Sequence, residues 1–178
     1  MEDQDNSCSK LHAWLGYLIF TVAVSMLLIS FFYQPVLVEG SSMMPELVDQ
    51  DRLLVNKSAY RIGKIHRGDV VVFLYPYNHR KNYIKRVIAL PGDDLRIENG
   101  QVVVNGKALE ENYLPAESEY HRSIPVPEMK IPDNEYFVMG DHRSMSVDSR
   151  SFGPIDRKLI YGKASFVYWP LKRTRIVR

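Results

Sequence analysis

The stretch DLRIENGQVVVNGKAL, residues 94–109, decides the fold class of this chain. It contains two Asn-Gly steps, at Asn99-Gly100 and Asn105-Gly106, between runs rich in Val, Leu and Ile. Asparagine and glycine tolerate the positive φ angles that tight hairpin turns require. The stretch therefore predicts an antiparallel hairpin followed by the start of a third strand.

Short β-rich runs separated by turn residues continue on both sides of this hairpin. Val, Ile, Tyr and Phe favour strands, and helical signals after residue 33 are sparse. The pattern predicts a mostly β domain built as an antiparallel, coiled or barrel-like sheet. We interpret residues 109–132, with four prolines and several charges, as a loop or excursion. The other predicted strands lie in DRLLVNK, DVVVFLYP, YIKRVIAL, EYFVMG and ASFVYWP.

The N-terminal part has a different pattern. AWLGYLIFTVAVSMLLISFFY, residues 13–33, contains no Asp, Glu, Lys, Arg or His. As a helix it would be about 31 Å long, close to the roughly 30 Å of bilayer hydrocarbon. A buried core helix is one alternative. A cleaved secretory signal is another, but its apolar run is usually about 7–15 residues long. We predict a short tail at 1–12, a transmembrane helix at 13–33 and a β-rich domain at 34–178.

Composition and charge exclude several classes of function. Of 178 residues, 23 are Lys or Arg and 21 are Asp or Glu, so the net charge of +2 does not indicate a nucleic-acid partner. The single cysteine, Cys8, excludes an internal disulfide framework and lies outside any zinc-binding spacing. Lys10 precedes the apolar run, and the first cation after it is Arg52, which favours a cytoplasmic N-terminus.

Three segments place polar groups inside or beside an apolar strand pattern: VEGSSMMPEL (38–47), YIKRVIALPGD (83–93) and MGDHRSMSVDSRSFG (139–153). In the second, alternation puts at least one of Lys85 and Arg86 on an apolar face. Burial lowers the pKa of a lysine, and its neutral amine can then act as a general base. A serine hydroxyl becomes a nucleophile when such a base takes its proton.

Two bases in this chain compete for that role. Lys85 would give a Ser/Lys pair, whereas His142 with Asp141 or Asp148 would give a Ser/His/Asp triad. Side-chain chemistry alone does not choose between them. Each segment also has a structural interpretation: a Gly-Ser-Ser turn, a lysine with a solvated head, and an Asp/Arg ion-pair network.

The order and spacing of these segments after one N-terminal span resemble type I signal peptidases, the leader peptidases. GSSMMPEL resembles the family's nucleophile box, which implies that Ser42 is the nucleophile. RGDVVVF resembles the next strand box, and YIKRVIALPGD resembles the lysine box, which implies Lys85 as general base. GDHRSMSVDSRSFG resembles the last box, in which Ser146 would position the lysine. Asp148 and Arg150 then match the family's supporting charges.

The resemblance implies a membrane-bound serine endopeptidase that removes signal peptides from exported preproteins after small residues, of the Ala-X-Ala type. It implies no cofactor and no metal, and its partners would be preproteins and the lipid bilayer rather than nucleic acid. Gly40 departs from the pattern, because some members carry a serine there that helps to hold the oxyanion. Backbone N–H groups, including that of Ser42, would then take this role. Met145 and His142 stand where asparagine is usual or frequent.

Several alternatives stay open at this stage. We expect a single-pass protein of the cytoplasmic membrane with its domain outside. One alternative is a mitochondrial inner-membrane or thylakoid processing peptidase of the same family. A self-cleaving repressor-type Ser/Lys peptidase and a tethered β-domain without catalysis are the others. The anchor and the full set of boxes argue against the former, and Ser42, Lys85 and Ser146 argue against the latter. If Lys85 is the base, we expect Asp141 and Asp148 to pair with arginines.

Overall fold

The computed structural model describes residues 2–117 and 123–178, and the chain divides into two compact units. The first unit, Met1–Gln34, contains helix α1 (Glu2–Phe32). Its stretch Trp14–Phe32 is long and apolar enough to cross a membrane. The helix begins at Glu2, within the segment predicted as a tail, because no proline or glycine interrupts that segment. It ends one residue before the predicted boundary, since Tyr33 already begins a strand.

The rest of the chain is mostly β, as predicted. Short helices α2 (Ala59–Ile62) and α3 (Ser149–Phe152) and 3₁₀ turns at Arg143–Met145, Arg157–Leu159 and Leu171–Arg173 connect the strands. The strands are β1 (Tyr33–Leu37), β2 (Arg52–Asn56), β3 (Val70–Tyr75), β4 (Asn78–Ala89), β5 (Asp94–Glu98), β6 (Gln101–Val104), β7 (Lys107–Ala108), β8 (Val126–Lys130), β9 (Glu135–Met139), β10 (Ile155–Asp156), β11 (Ile160–Trp169) and β12 (Arg175–Ile176).

The strands form two sheets. The larger has the order β1-β2-β11-β3-β4-β9-β10, with β12 paired to β11, and the smaller has the order β7-β6-β5-β8. The predicted hairpin is confirmed, since β5, β6 and β7 pair in antiparallel register. Both of its turns use positive φ, 50° at Asn99 and 53° at Asn105. The antiparallel pairing of β5, β6 and β7 therefore follows from the Asn-Gly steps.

Strand β8 corrects the interpretation of residues 109–132 as a loop or excursion. It pairs with β5, and Val126 and Met129 pack against the apolar core of the smaller sheet. Pro127 lies within it, which an edge strand tolerates because its outer N–H groups need no ladder partner. The proline hid the strand from the sequence pattern.

Strand β4 positions the candidate site, because it lies between β3 and β9. Tyr83 and Val87 pack in one apolar core, whereas Ile84 packs against another. This alternation places Lys85 and Arg86 on opposite faces of the strand, each beside apolar neighbours.

Candidate active site

The loop after β1 presents Ser42 on a tight turn. The Met44 N–H donates to the Ser41 carbonyl at 3.0 Å, and the Leu47 N–H donates to the Met43 carbonyl at 2.8 Å. The side chains of Met43 and Leu47 are buried in an apolar core of the larger sheet. These contacts fix the backbone that carries Ser42.

Gly40 gives this loop a shape that a serine would strain. Its φ is +92°, a region that residues with a side chain rarely adopt, and its N–H donates to Asp49 Oδ1 at 2.8 Å. Within residues 2–117 and 123–178 no acceptor is hydrogen-bonded to the Ser42 N–H. That backbone donor is therefore available to an oxyanion formed beside Ser42.

Lys85 and Ser42 are hydrogen-bonded to each other. Lys85 Nζ lies 2.7 Å from Ser42 Oγ, although 43 residues separate them. Lys85 is only 4% exposed. Burial lowers the pKa of Lys85 to about 8, while the charges of Asp148 and Asp141 raise it by a smaller amount. A neutral amine within reach of a serine hydroxyl can accept the proton of that hydroxyl.

The acids beside this pair are held by arginines, as expected. Arg150 donates to buried Asp148 from Nε at 2.8 Å and from Nη2 at 2.7 Å. Burial alone would raise the pKa of Asp148, but the hydrogen bonds and charge of Arg150 outweigh it, so the pKa is lowered. Asp141 receives Arg86 Nε at 2.8 Å and Nη2 at 2.6 Å. Pairing with arginines does not remove the effect of these acids on Lys85, because the charges of both raise its pKa.

Ser146 lies beside the pair without a hydrogen bond to Lys85. Its Oγ is buried and has no hydrogen-bond partner among the described residues. It lies near enough to Asp148 to help lower the pKa of that carboxyl, although the geometry falls short of a hydrogen bond. A Cβ built on Gly140 would lie 2.3 Å from Ser146 Oγ and 2.4 Å from the Ser42 carbonyl oxygen. Ser42 and Ser146 therefore both pack against position 140, where only glycine fits.

His142 reaches Ser42 through its backbone. Its N–H donates to the Ser42 carbonyl at 3.1 Å, whereas the Ser42 hydroxyl is hydrogen-bonded to Lys85. Both carboxylates that a triad would require are already bonded to arginines. The geometry therefore favours the Ser/Lys arrangement over the Ser/His/Asp alternative.

Two residues next to the site were missed by the sequence reasoning. Glu111 and Tyr113 lie in the proline-rich segment, and both are hydrogen-bonded to buried Arg143. The Tyr113 ring also lies over the Arg86 guanidinium, 4.1 Å from its centre. The only sequence signal was an acidic and aromatic pair in a segment without strand or helix periodicity.

Comparison with known proteins assigns the family. A family model described as signal peptidase, peptidase S26, matches residues 11–169. A signal peptidase I of Bacillus licheniformis is 36% identical over 98% of this chain and 97% of its own length. A signal peptidase I S of Bacillus subtilis strain 168 is 37% identical over 91% of both chains.

Solved structures agree with this assignment. The crystal structure of a signal peptidase I from Enterococcus faecalis V583 matches with a TM-score of 0.52 and 28% identity. The match covers 58% of this chain and 99% of that chain. On the family model and on relatives that match over nearly their whole length, this chain belongs to the signal peptidase family, peptidase S26.

Proposed function

We propose that this chain is a membrane-anchored endopeptidase that removes signal peptides from preproteins, with Ser42 as nucleophile and Lys85 as general base. The 2.7 Å hydrogen bond between Lys85 Nζ and Ser42 Oγ is the observation that carries this proposal. Relatives of similar length are named signal peptidase I, which supports the same substrate class.

The reaction is an acyl transfer in two stages. Ser42 Oγ attacks the carbonyl carbon of the last signal-peptide residue while neutral Lys85 accepts the hydroxyl proton. The Ser42 N–H stabilises the oxyanion of the tetrahedral intermediate. The peptide C–N bond then breaks, and the lysine returns its proton to the leaving amine, which is the new N-terminus of the mature protein. A water, deprotonated by the same lysine, hydrolyses the acyl-enzyme and regenerates Ser42.

The supporting residues hold the turn that faces the Ser42–Lys85 pair. Asp148 accepts the Gly140 N–H at 3.0 Å, and Arg150 Nη2 donates to the Ser146 carbonyl at 3.4 Å. These bonds support a role for Asp148 and Arg150 in fixing Ser146, whose hydroxyl would orient the Lys85 amine when the substrate binds. The substrate would bind as an extended strand, with small pockets that accept the two alanines of an Ala-X-Ala site.

The anchor brings enzyme and substrate into the same bilayer. In our proposal helix α1 crosses the cytoplasmic membrane once, with its N-terminus in the cytoplasm and the domain outside. The relatives described above are bacterial, which favours this membrane over a mitochondrial or thylakoid one. Confinement to two dimensions raises the effective concentration of signal peptides near Ser42. The end of the chain also suits contact with lipid headgroups. It exposes Trp169, Leu171 and Ile176, and cations lie between them in sequence.

Protease accessibility tests the orientation. In spheroplasts that express the full chain with a tag at residue 1, protease added outside should degrade the domain and leave the tag protected. A protected domain with a digested tag would reverse the proposed topology.

A pair of serine variants tests the nucleophile. Ser42→Ala should lower kcat/KM for a preprotein by about 1000-fold or more, because the hydroxyl that attacks the substrate is gone. Ser41→Ala is the matched control and should retain most of the activity. If Ser42→Ala cleaved a preprotein as fast as the wild type, the assignment of the nucleophile would be wrong.

A further inference from the structure

A buried ion pair links the segment between β7 and β8 to the turn beside Ser42. Arg143 binds Glu111 with both terminal nitrogens, one of them 3.0 Å from Oε2. The side chain of Arg143 is 1% exposed and that of Glu111 is 9% exposed. Because 32 residues separate the partners, this contact joins two distant parts of the chain. Buried charges of this kind stay in place only when they are paired.

Tyr113 contacts the same arginine and also the strand that carries Lys85. Its hydroxyl donates to Glu111 Oε1 at 2.6 Å and accepts from Arg143 Nη2 at 3.2 Å. Its ring covers the guanidinium of Arg86, the residue after Lys85. Tyr113 therefore connects strand β4, which carries Lys85, with the turn that carries Arg143.

The connection continues as far as Ser42. Arg143 Nε donates to the Gly140 carbonyl at 3.1 Å. A Cβ on Gly140 would in turn collide with Ser146 Oγ and the Ser42 carbonyl oxygen, so this residue lies close to both. A shift of Arg143 would therefore move the turn that bounds the nucleophile.

We propose that Glu111 and Tyr113, which we call the Glu111–Tyr113 clamp, are positioning residues for the reaction of Ser42 with its substrate. They hold Arg143, and through it the turn at Gly140, against Ser42. The Tyr113 ring also packs on Arg86, the next residue after Lys85 on strand β4. This inference rests on the proposed function of Ser42 and Lys85. Neither clamp residue touches the reacting atoms, so their effect is on the geometry that those atoms adopt.

Loss of the clamp should lower turnover rather than substrate binding. Glu111→Gln keeps the shape of the side chain but removes the carboxylate that pairs with buried Arg143. Its kcat should fall about tenfold or more, with KM within about twofold of the wild type. Tyr113→Phe keeps the ring over Arg86 and removes only the hydroxyl, so its kcat should fall less, by about threefold.

The experiment uses the full chain in detergent and a peptide with an Ala-X-Ala cleavage site. It compares kcat per folded molecule and KM for the two variants with those of two controls. Glu110→Gln changes the exposed acid next to Glu111, and Tyr77→Phe removes the hydroxyl of a tyrosine that is 74% exposed. Wild type and Ser42→Ala are measured in the same series.

The outcomes separate the clamp from folding and from the proposed function. If Tyr113→Phe and folded Glu111→Gln kept the wild-type kcat, the clamp would be wrong, even if the thermal midpoint fell. If Glu111→Gln did not fold, the kcat of Tyr113→Phe would decide, with a wild-type value against the clamp and a threefold loss for it. If the wild type did not cleave, or Ser42→Ala cleaved equally well, the proposed function would fail and the clamp with it.

Discussion

Lys85 and Arg86 are neighbours on strand β4, yet burial leaves them with opposite properties. They are 4% and 2% exposed, so both are removed from water to a similar extent. Lys85 has the neutral hydroxyl of Ser42 as its partner, and burial lowers its pKa to about 8. Burial would lower the pKa of Arg86 as well, but the hydrogen bonds and charge of Asp141 raise it. A guanidinium is more basic than an amine from the start, and the partner widens the difference. The carboxylate of Asp141 stabilises the charge of Arg86, whereas the neutral hydroxyl of Ser42 leaves Lys85 free to become a base.

The largest loss of activity is expected when the amine of Lys85 is removed. Lys85→Met keeps the apolar stem and should lower kcat/KM for a peptide substrate by about 1000-fold or more. His142→Ala should stay within about tenfold of the wild type, because the contact of His142 with Ser42 uses the backbone. The reverse ranking of these two variants would support the Ser/His/Asp triad.

Replacement of Lys85 and of Arg86 by methionine should also have different effects on the stability of the protein. Arg86→Met leaves Asp141 buried without its partner, which should lower the free energy of unfolding by about 3–5 kcal/mol. Lys85→Met should instead leave stability unchanged or raise it by about 1–3 kcal/mol at pH 7. Chemical denaturation of the full chain in detergent measures both changes.

The effect of Lys85→Met on stability should depend on pH, because the pKa of Lys85 is lowered in the folded chain. Because the pKa of folded Lys85 is near 8 and its ordinary value is 10.5, the unfolded chain holds this proton more tightly. The lowered pKa of Lys85 therefore reduces the free energy of unfolding. This reduction is complete below pH 8 and disappears as pH rises to 10.5. The stability gained by Lys85→Met should therefore shrink between pH 8 and pH 10.5. A gain that grew with pH over that interval would contradict the direction of the shift.

The sequence could indicate elements whose signal is local. Asn99 and Asn105 specify their turns through their own backbone preferences, and the boxes around Ser42 and Lys85 are short and contiguous. The structure brings these two side chains to hydrogen-bond distance, as the resemblance implied.

Contacts between distant segments had no comparable signal. Glu111 and Tyr113 meet Arg143 from 32 and 30 residues away, and nothing in their own segment indicates that partner. Strand β8 was hidden by its proline, and α1 continues to Glu2 because nothing in the polar start of the chain breaks a helix. The contacts of Arg143 and the pairing of β8 depend on tertiary packing, which outweighs local propensity.

The pH profile of kcat/KM for a peptide substrate tests most directly the claim that Lys85 acts as the base. This parameter reports the ionisation of groups in the free enzyme, and Lys85 must be neutral to accept the Ser42 proton. Activity should rise with pH, with a midpoint near 8, and reach a plateau above it, because burial lowers the pKa of Lys85. His142→Ala should keep the same midpoint. A limb that titrates only near the ordinary value of 10.5 would show a solvated, unperturbed Lys85 and would contradict the proposed mechanism.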